Sequence, residues 1–249
     1  MCCFSKPVRS VSATNIFARE APEGRQYLAY SMTLSASEDL AMILPLPVPQ
    51  GTRDDAVTFI DLSGYAEFFR DLAKAFPEPM PANAPRSAPA PQARAPLAVV
   101  EVGSFEASFV PTIDDFTRLD PRFRLPAEVW SRLPGHDRFG FAVFKLMKGE
   151  KRIHPMAFTF PRAAAGSVFF PTVHVHDGQV HAQARFDHAL FLQRSPRARA
   201  GTPDGWRSSK KARYYVDVER ARGLVDGDQP VHRLRLAGRA PNRDIYVDD

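Results

Sequence analysis

Three of the seven histidines, His174, His176 and His181, fall in one short stretch, PTVHVHDGQVHAQ at 171–183. Asp-Gly is a favoured two-residue hairpin loop, because both central positions take positive φ. With Asp177-Gly178 as the loop, His174 stands opposite His181, and His176 lies two residues further along the same strand. Residues two apart on a strand share a face at about 7 Å, and directly opposed residues share one at about 5 Å. The three imidazoles then project from one side, while Val173, Val175, Val180 and Ala182 project from the other. Imidazoles so placed can converge on one ion at about 2.0–2.1 Å each. Zn, Cu, Fe and Ni suit such ligands, and an open fourth position would let the ion activate water. The same alternation also describes a hairpin with one apolar face on the core and one in water, where histidines are solvated and hold nothing.

Cys2 and Cys3 are the only cysteines. Adjacent residues are too close for an ordinary disulfide, so no disulfide framework exists and the pair reads as free thiols, as in a reducing compartment. Thiolate is a soft ligand, which makes Cys2 and Cys3 candidates to extend the histidine set around Zn or a similar ion. Removal of Met1 would make Cys2 an N-terminal nucleophile with its own α-amine as base. That is the layout of amidohydrolases built on an N-terminal nucleophile, although the Arg, Asp and Asn partners of such enzymes are not recognisable here. Small buried residues are the third reading. Whether the chain is an enzyme stays open at this level.

The other histidines offer less. His154 precedes proline, which restricts it to extended backbone. His188 alternates with Phe186 and Leu190, as a core histidine would. His136 sits in a loop-like PGHDRFG, and His232 is isolated. Asp114-Asp115 opens a short helix, where the helix dipole accounts for both charges. No Gly-rich phosphate loop, Gly-x-Ser-x-Gly or His-Glu-x-x-His occurs.

The net charge of +5 is carried by residues 193–249, which hold 13 Lys/Arg against 8 Asp/Glu. Within them, 194–213 holds seven basic residues and one acid, with Trp206, Tyr214 and Tyr215 inside or alongside. Basic residues beside aromatics can bind single-stranded nucleic acid. A solvated, mobile arm is the plainer expectation, and the segment would otherwise make the chain a non-catalytic interaction module.

Strands are predicted at 11–19, 26–34, 40–46, 56–62, 97–102, 105–110, 139–147, 152–160, between 168 and 193, at 214–218 and at 231–238. The clearest helix is GYAEFFRDLAKAF at 64–76, with Tyr65, Phe68, Phe69, Leu72 and Phe76 at helical spacing and Pro77 as its stop. Thr112 caps a short helix over 112–119, and Pro126 opens another over 126–133. Residues 77–96 are Pro/Ala-rich and read as an inserted flexible loop. The expected fold class is α+β: a β-dominated domain of mixed or antiparallel sheets with several short helices. Residues 1–193 form the main domain, and 194–249 a basic C-terminal extension with two late strands.

This order resembles an uncharacterised family of bacterial proteins, usually secreted and of unknown function. The resemblance rests on CCF at 2–4, on the buried strand ending Leu44-Pro45-Leu46-Pro47 and Pro49, and on the succession EVGSFEASFV, RLPAEVW, FGFAVFKL and HPMAFTFP. It spans roughly residues 1–170 and implies a shared fold without an activity. Those residues are packing motifs. The first 20 residues lack the apolar run of an export signal, and no segment reaches the roughly 20 apolar residues of a membrane span. A cytoplasmic protein with no membrane association is expected.

Overall fold

The computed structural model describes residues 2–77, 106–125, 129–130, 135–194 and 203–248. Strands dominate it. They are β1 (Cys2–Phe4), β2 (Ser10–Ala21), β3 (Arg25–Ala36), β4 (Leu40–Leu46), β5 (Thr58–Asp61), β6 (Ala107–Val110) and β7 (Gly140–Leu146). They continue with β8 (Gly149–Pro161), β9 (Ser167–Phe170), β10 (His174–Val175), β11 (Gln183–Gln193), β12 (Arg207–Lys211), β13 (Pro230–Pro241) and β14 (Ile245–Asp248). Helix is sparse: α1 (Phe68–Lys74) is joined by short 3-10 turns such as Ser63–Tyr65, Asp114–Arg118 and Ala212–Tyr214.

A seven-stranded sheet runs β12-β13-β11-β2-β3-β8-β5, and a five-stranded sheet runs β10-β1-β4-β7-β6. Both are mixed, because β11 pairs with β2 in parallel, as does β1 with β10, while the other pairs are antiparallel. The strand β9 pairs with β14 in a small third sheet.

The core has three layers. Alternate residues of the two large sheets meet between them, including Ile16, Leu28, Tyr30, Met42, Leu44, Phe144, Phe158 and Leu190. The outer face of the seven-stranded sheet carries Phe17, Ala29 and Phe191 against Tyr65, Phe68, Leu72 and Leu224. The outer face of the five-stranded sheet carries Cys3, Ile43 and Val143 against Phe116, Phe123 and Trp130. Covered on both faces, β4 is buried along its whole length, which is why its sequence is a continuous apolar run instead of an alternation. Pro45 is tolerated there because its described partner is Phe141 of β7, while β1 pairs only as far as Ile43. A proline needs an unpaired flank on one side.

Where the sequence predicts a helix over 64–76, the chain makes a 3-10 turn and then the two-turn α1, with all five spaced apolar residues buried. The strand expected at 214–218 is absent. Tyr214 ends a 3-10 turn and the chain continues in turns to 225. Of the basic segment expected to be a mobile arm, Arg207–Lys211 form β12, paired to β13, and Trp206 packs on Phe170 with ring centroids 5.7 Å apart, while 195–202 lie outside the described residues. Most of the loop at 77–96, the strand at 97–102 and most of the helix at 126–133 lie outside the described residues. Among the described residues no helix is long and apolar enough to cross a membrane.

Candidate functional site

The Asp177-Gly178 hairpin does not form. Only His174 and Val175 are strand, and they pair in parallel with β1, with Cys2 as register partner of His174 and Cys3 of Val175. A short parallel edge strand has few backbone bonds, so side chains from the C-terminal segment hold it. Asn242 accepts from the His174 N–H at 2.7 Å and donates to the carbonyls of His174 (3.0 Å) and His181 (2.9 Å). Asp244 accepts from the N–H groups of Thr172 (2.8 Å) and Val173 (3.0 Å) and lies 3.2 Å from His136 Nε2. Burial works against the Asp244 carboxyl, but the bonds from His136 and Val173 hold its pKa below the ordinary value. Asp244→Ala strands these donors in the interior. It is expected to lower stability by about 2–3 kcal/mol in urea denaturation, and a change under 0.5 kcal/mol would refute the clasp.

Alternation on β10 sends Val173 and Val175 to the outer apolar cluster and turns His174 and His176 inward, toward β11. There His174 meets His188: the two Nε2 atoms are 2.9 Å apart and the ring centroids 4.8 Å apart. His176 stacks on His174 at 4.8 Å and 18°, and the Phe4 ring centroid lies 5.5 Å from that of His176. Phe186 packs against His174 at 4.6 Å and His188 at 5.3 Å. The cluster therefore sits in the layer between the two large sheets, beside edge strand β10. His188 is 2% exposed, while His174 and His176 are partly accessible.

Burial drives the electrostatics. Desolvation, reinforced by the neighbouring imidazoles, lowers the pKa of His174 to about 2 and that of His176 to about 4. His188 is also lowered, chiefly by burial, and partly rescued by Asp187. All three rings are neutral at physiological pH, so one Nε2 of the His174–His188 contact donates and the other accepts. Behind His188, Asp187 Oδ1 stands 3.5 Å from Nδ1, too long for a good hydrogen bond but within ion-pair range. Among the described residues, the buried His176 Nε2 and His188 Nδ1 have no hydrogen-bond partner.

The sequence-derived ligand set is thus divided. His174 and His176 come together, joined by His188. His181 turns away into solvent and bonds Asp177 at 2.8 Å. Cys3 is buried among apolar residues on the opposite face of the five-stranded sheet. Cys2 pairs with His174 through its backbone, and its side chain lies outside the described residues. Among the described residues, no group of three or more His, Cys, Asp or Glu side chains is arranged to hold a metal ion. His188 escapes sequence reasoning because its alternation with Phe186 and Leu190 marks it as core. The signal it does give is a polar residue on an otherwise apolar inner face.

No family model matches the chain, and no curated protein does. Among solved structures it is similar to baculovirus P35. It is 11% identical to the crystal structure of that protein, over 96% of each chain, with a TM-score of 0.47. A mutated P35 after caspase cleavage is 10% identical over 96% of this chain and 98% of that one, with a TM-score of 0.48. P35 in its complex with caspase-8 is 10% identical over 95% and 96%, with a TM-score of 0.47. Likeness at this level assigns no activity to this chain.

Proposed function

We propose that this protein binds a transition-metal ion between its two large sheets beside edge strand β10, with His174 and His188 as the protein ligands. The supporting observation is the 2.9 Å separation of two neutral Nε2 atoms delivered by different sheets. Two nitrogens held at about 2.0–2.1 Å from one ion, about 90° apart, lie about 2.9 Å from each other. That angle suits tetragonal Cu(II) or Ni(II). Tetrahedral Zn, the ion expected from sequence, would need the pair opened to about 3.4 Å. Because burial lowers the pKa of both rings from the ordinary value, both are neutral at pH 7 and no proton has to leave an imidazolium before metal binds. Water or a substrate group completes the coordination.

The test is a Cu(II) titration against a competing chelator, with wild type, His174→Ala/His188→Ala and His181→Ala compared. One equivalent should bind to wild type and to His181→Ala, and affinity should fall at least about 100-fold in the double variant. Equal binding by the double variant, or no binding by wild type, would sink the proposal.

A further inference from the structure

The outer face of the seven-stranded sheet changes character beyond the edge of α1. Antiparallel register sets Arg185 of β11 directly opposite Arg239 of β13, Ala189 opposite Arg235, and Arg207 of β12 opposite Arg233. Residues in register and residues two apart share a face, so these five arginines lie on one surface spanning three strands. Arg233 is folded down onto Phe76, with its guanidinium 5.3 Å from the ring. Arg185, Arg207, Arg235 and Arg239 are exposed. The one acid in the grid, Asp187 opposite Ala237, already accepts the Ala13 N–H at 2.6 Å. Among the described residues, Arg185 and Arg239 have no carboxylate within ion-pair distance.

Like charges placed directly opposite each other in an antiparallel pair destabilise it. The fold gains nothing from Arg185 against Arg239, so the arrangement points outward, to an anionic partner. The residues between the arginines are Asp187, Ala189 and Ala237. The patch therefore lacks the aromatic or large apolar anchors that carry protein–protein affinity, and the stacking rings that a single nucleic-acid strand uses. What remains is an array of guanidinium forks, which match phosphate oxygens two at a time. From Arg235 to Arg239 the array extends about 14 Å along β13.

We propose that this face of β11 and β13 binds the phosphate backbone of duplex nucleic acid, without reading its sequence. Binding would rest on counterion release and weaken steeply with salt. It is independent of the imidazole cluster, which faces the opposite side of β11, and it centres the anion site on β11 and β13, with Arg207 as the one contribution from the 194–213 segment.

The experiment is fluorescence anisotropy of a labelled 20-base-pair DNA duplex between 50 and 200 mM NaCl. It compares wild type with Arg185→Gln/Arg239→Gln and with a charge-matched control, Arg138→Gln/Lys148→Gln, whose residues are exposed on other elements. Losing two phosphate contacts should flatten the slope of log K against log salt by about 1.8. The control should keep the wild-type slope, and thermal melting of the arginine variant should equal or exceed that of wild type. The proposal is overturned if wild type does not bind at 50 mM NaCl, or if the two variants lose slope equally. It is also overturned if polyglutamate of matched charge competes as well as the duplex, or if a single strand of the same length binds more tightly.

Discussion

Replacing Phe158 by alanine is expected to lower the unfolding free energy by about 3–5 kcal/mol. Phe158 is fully buried on β8, between the two large sheets. Its ring meets those of Phe144, Phe160 and Phe59 at 5.9, 6.1 and 6.0 Å. Phe144 belongs to the facing five-stranded sheet, so the residue ties the sheets together as well as filling space. Alanine leaves a cavity that sheet backbones cannot collapse to fill, because their spacing is set by hydrogen bonds on both flanks. Phe59, on edge strand β5, offers the comparison. It packs on Phe144 and Phe158 but is 36% exposed, and Phe59→Ala should cost less than half as much. Urea denaturation of the two variants would check this, and equal losses would mean that the core is not centred where the structure puts it.

Acid should unfold the protein through its histidines before its carboxylates. His174, His176 and His188 are buried as neutral rings, and His154 and His232 are lowered in the same direction by burial. In the unfolded chain each regains a pKa of about 6.5. Below that pH the unfolded state takes up protons that the folded state refuses, so stability falls as pH falls. For His174 and His176, whose folded values are about 2 and about 4, the window opens at pH 6.5. The expected loss from this pair is on the order of 3 kcal/mol by pH 4.5, after allowing for solvent screening of rings that are partly accessible. Asp187 and Asp244 are lowered carboxylates. Their stabilisation persists above an unfolded value near 3.8 and is lost only below it, outside this window. His176→Phe removes one titrating ring while keeping an aromatic between His174 and Phe4. It should flatten the pH dependence and leave the variant more stable than wild type at pH 5. Melting temperatures that stay constant from pH 7 to 4.5 would contradict the buried neutral cluster.

Much of the sheet framework is legible in the sequence because its patterns are local. Period-two alternation marks β3 and β8, and a continuous apolar run marks β4, which the fold covers on both faces. Pairing is less legible. Gln26 shows why: its side chain, fully buried, bonds both the N–H and the carbonyl of Phe169, doing the work of a neighbouring strand. The histidine site is half legible for the same reason. His174 and His176 share a face by alternation alone, as expected. Their actual partner, His188, arrives from the other sheet, and nothing within 171–183 announces it. Asp177-Gly178 makes only a bend, and the C-terminal clasp of Asn242 and Asp244 holds 172–174 away from a hairpin and alongside β1. That competition is tertiary and leaves no trace in the local pattern. The arginine face is similarly hidden, because Arg185 and Arg239 lie 54 positions apart and become neighbours only through the register of β11 with β13.

The most direct measurement of the metal reading is electron paramagnetic resonance of the wild-type protein loaded with one equivalent of Cu(II), beside His174→Ala and His188→Ala singly. A tetragonal signal with hyperfine structure from two equivalent nitrogens, reduced to one nitrogen or lost in each variant, is the predicted result. A wild-type spectrum identical to that of aqueous Cu(II), or one unchanged by either substitution, would show that the two facing imidazoles hold each other and not an ion.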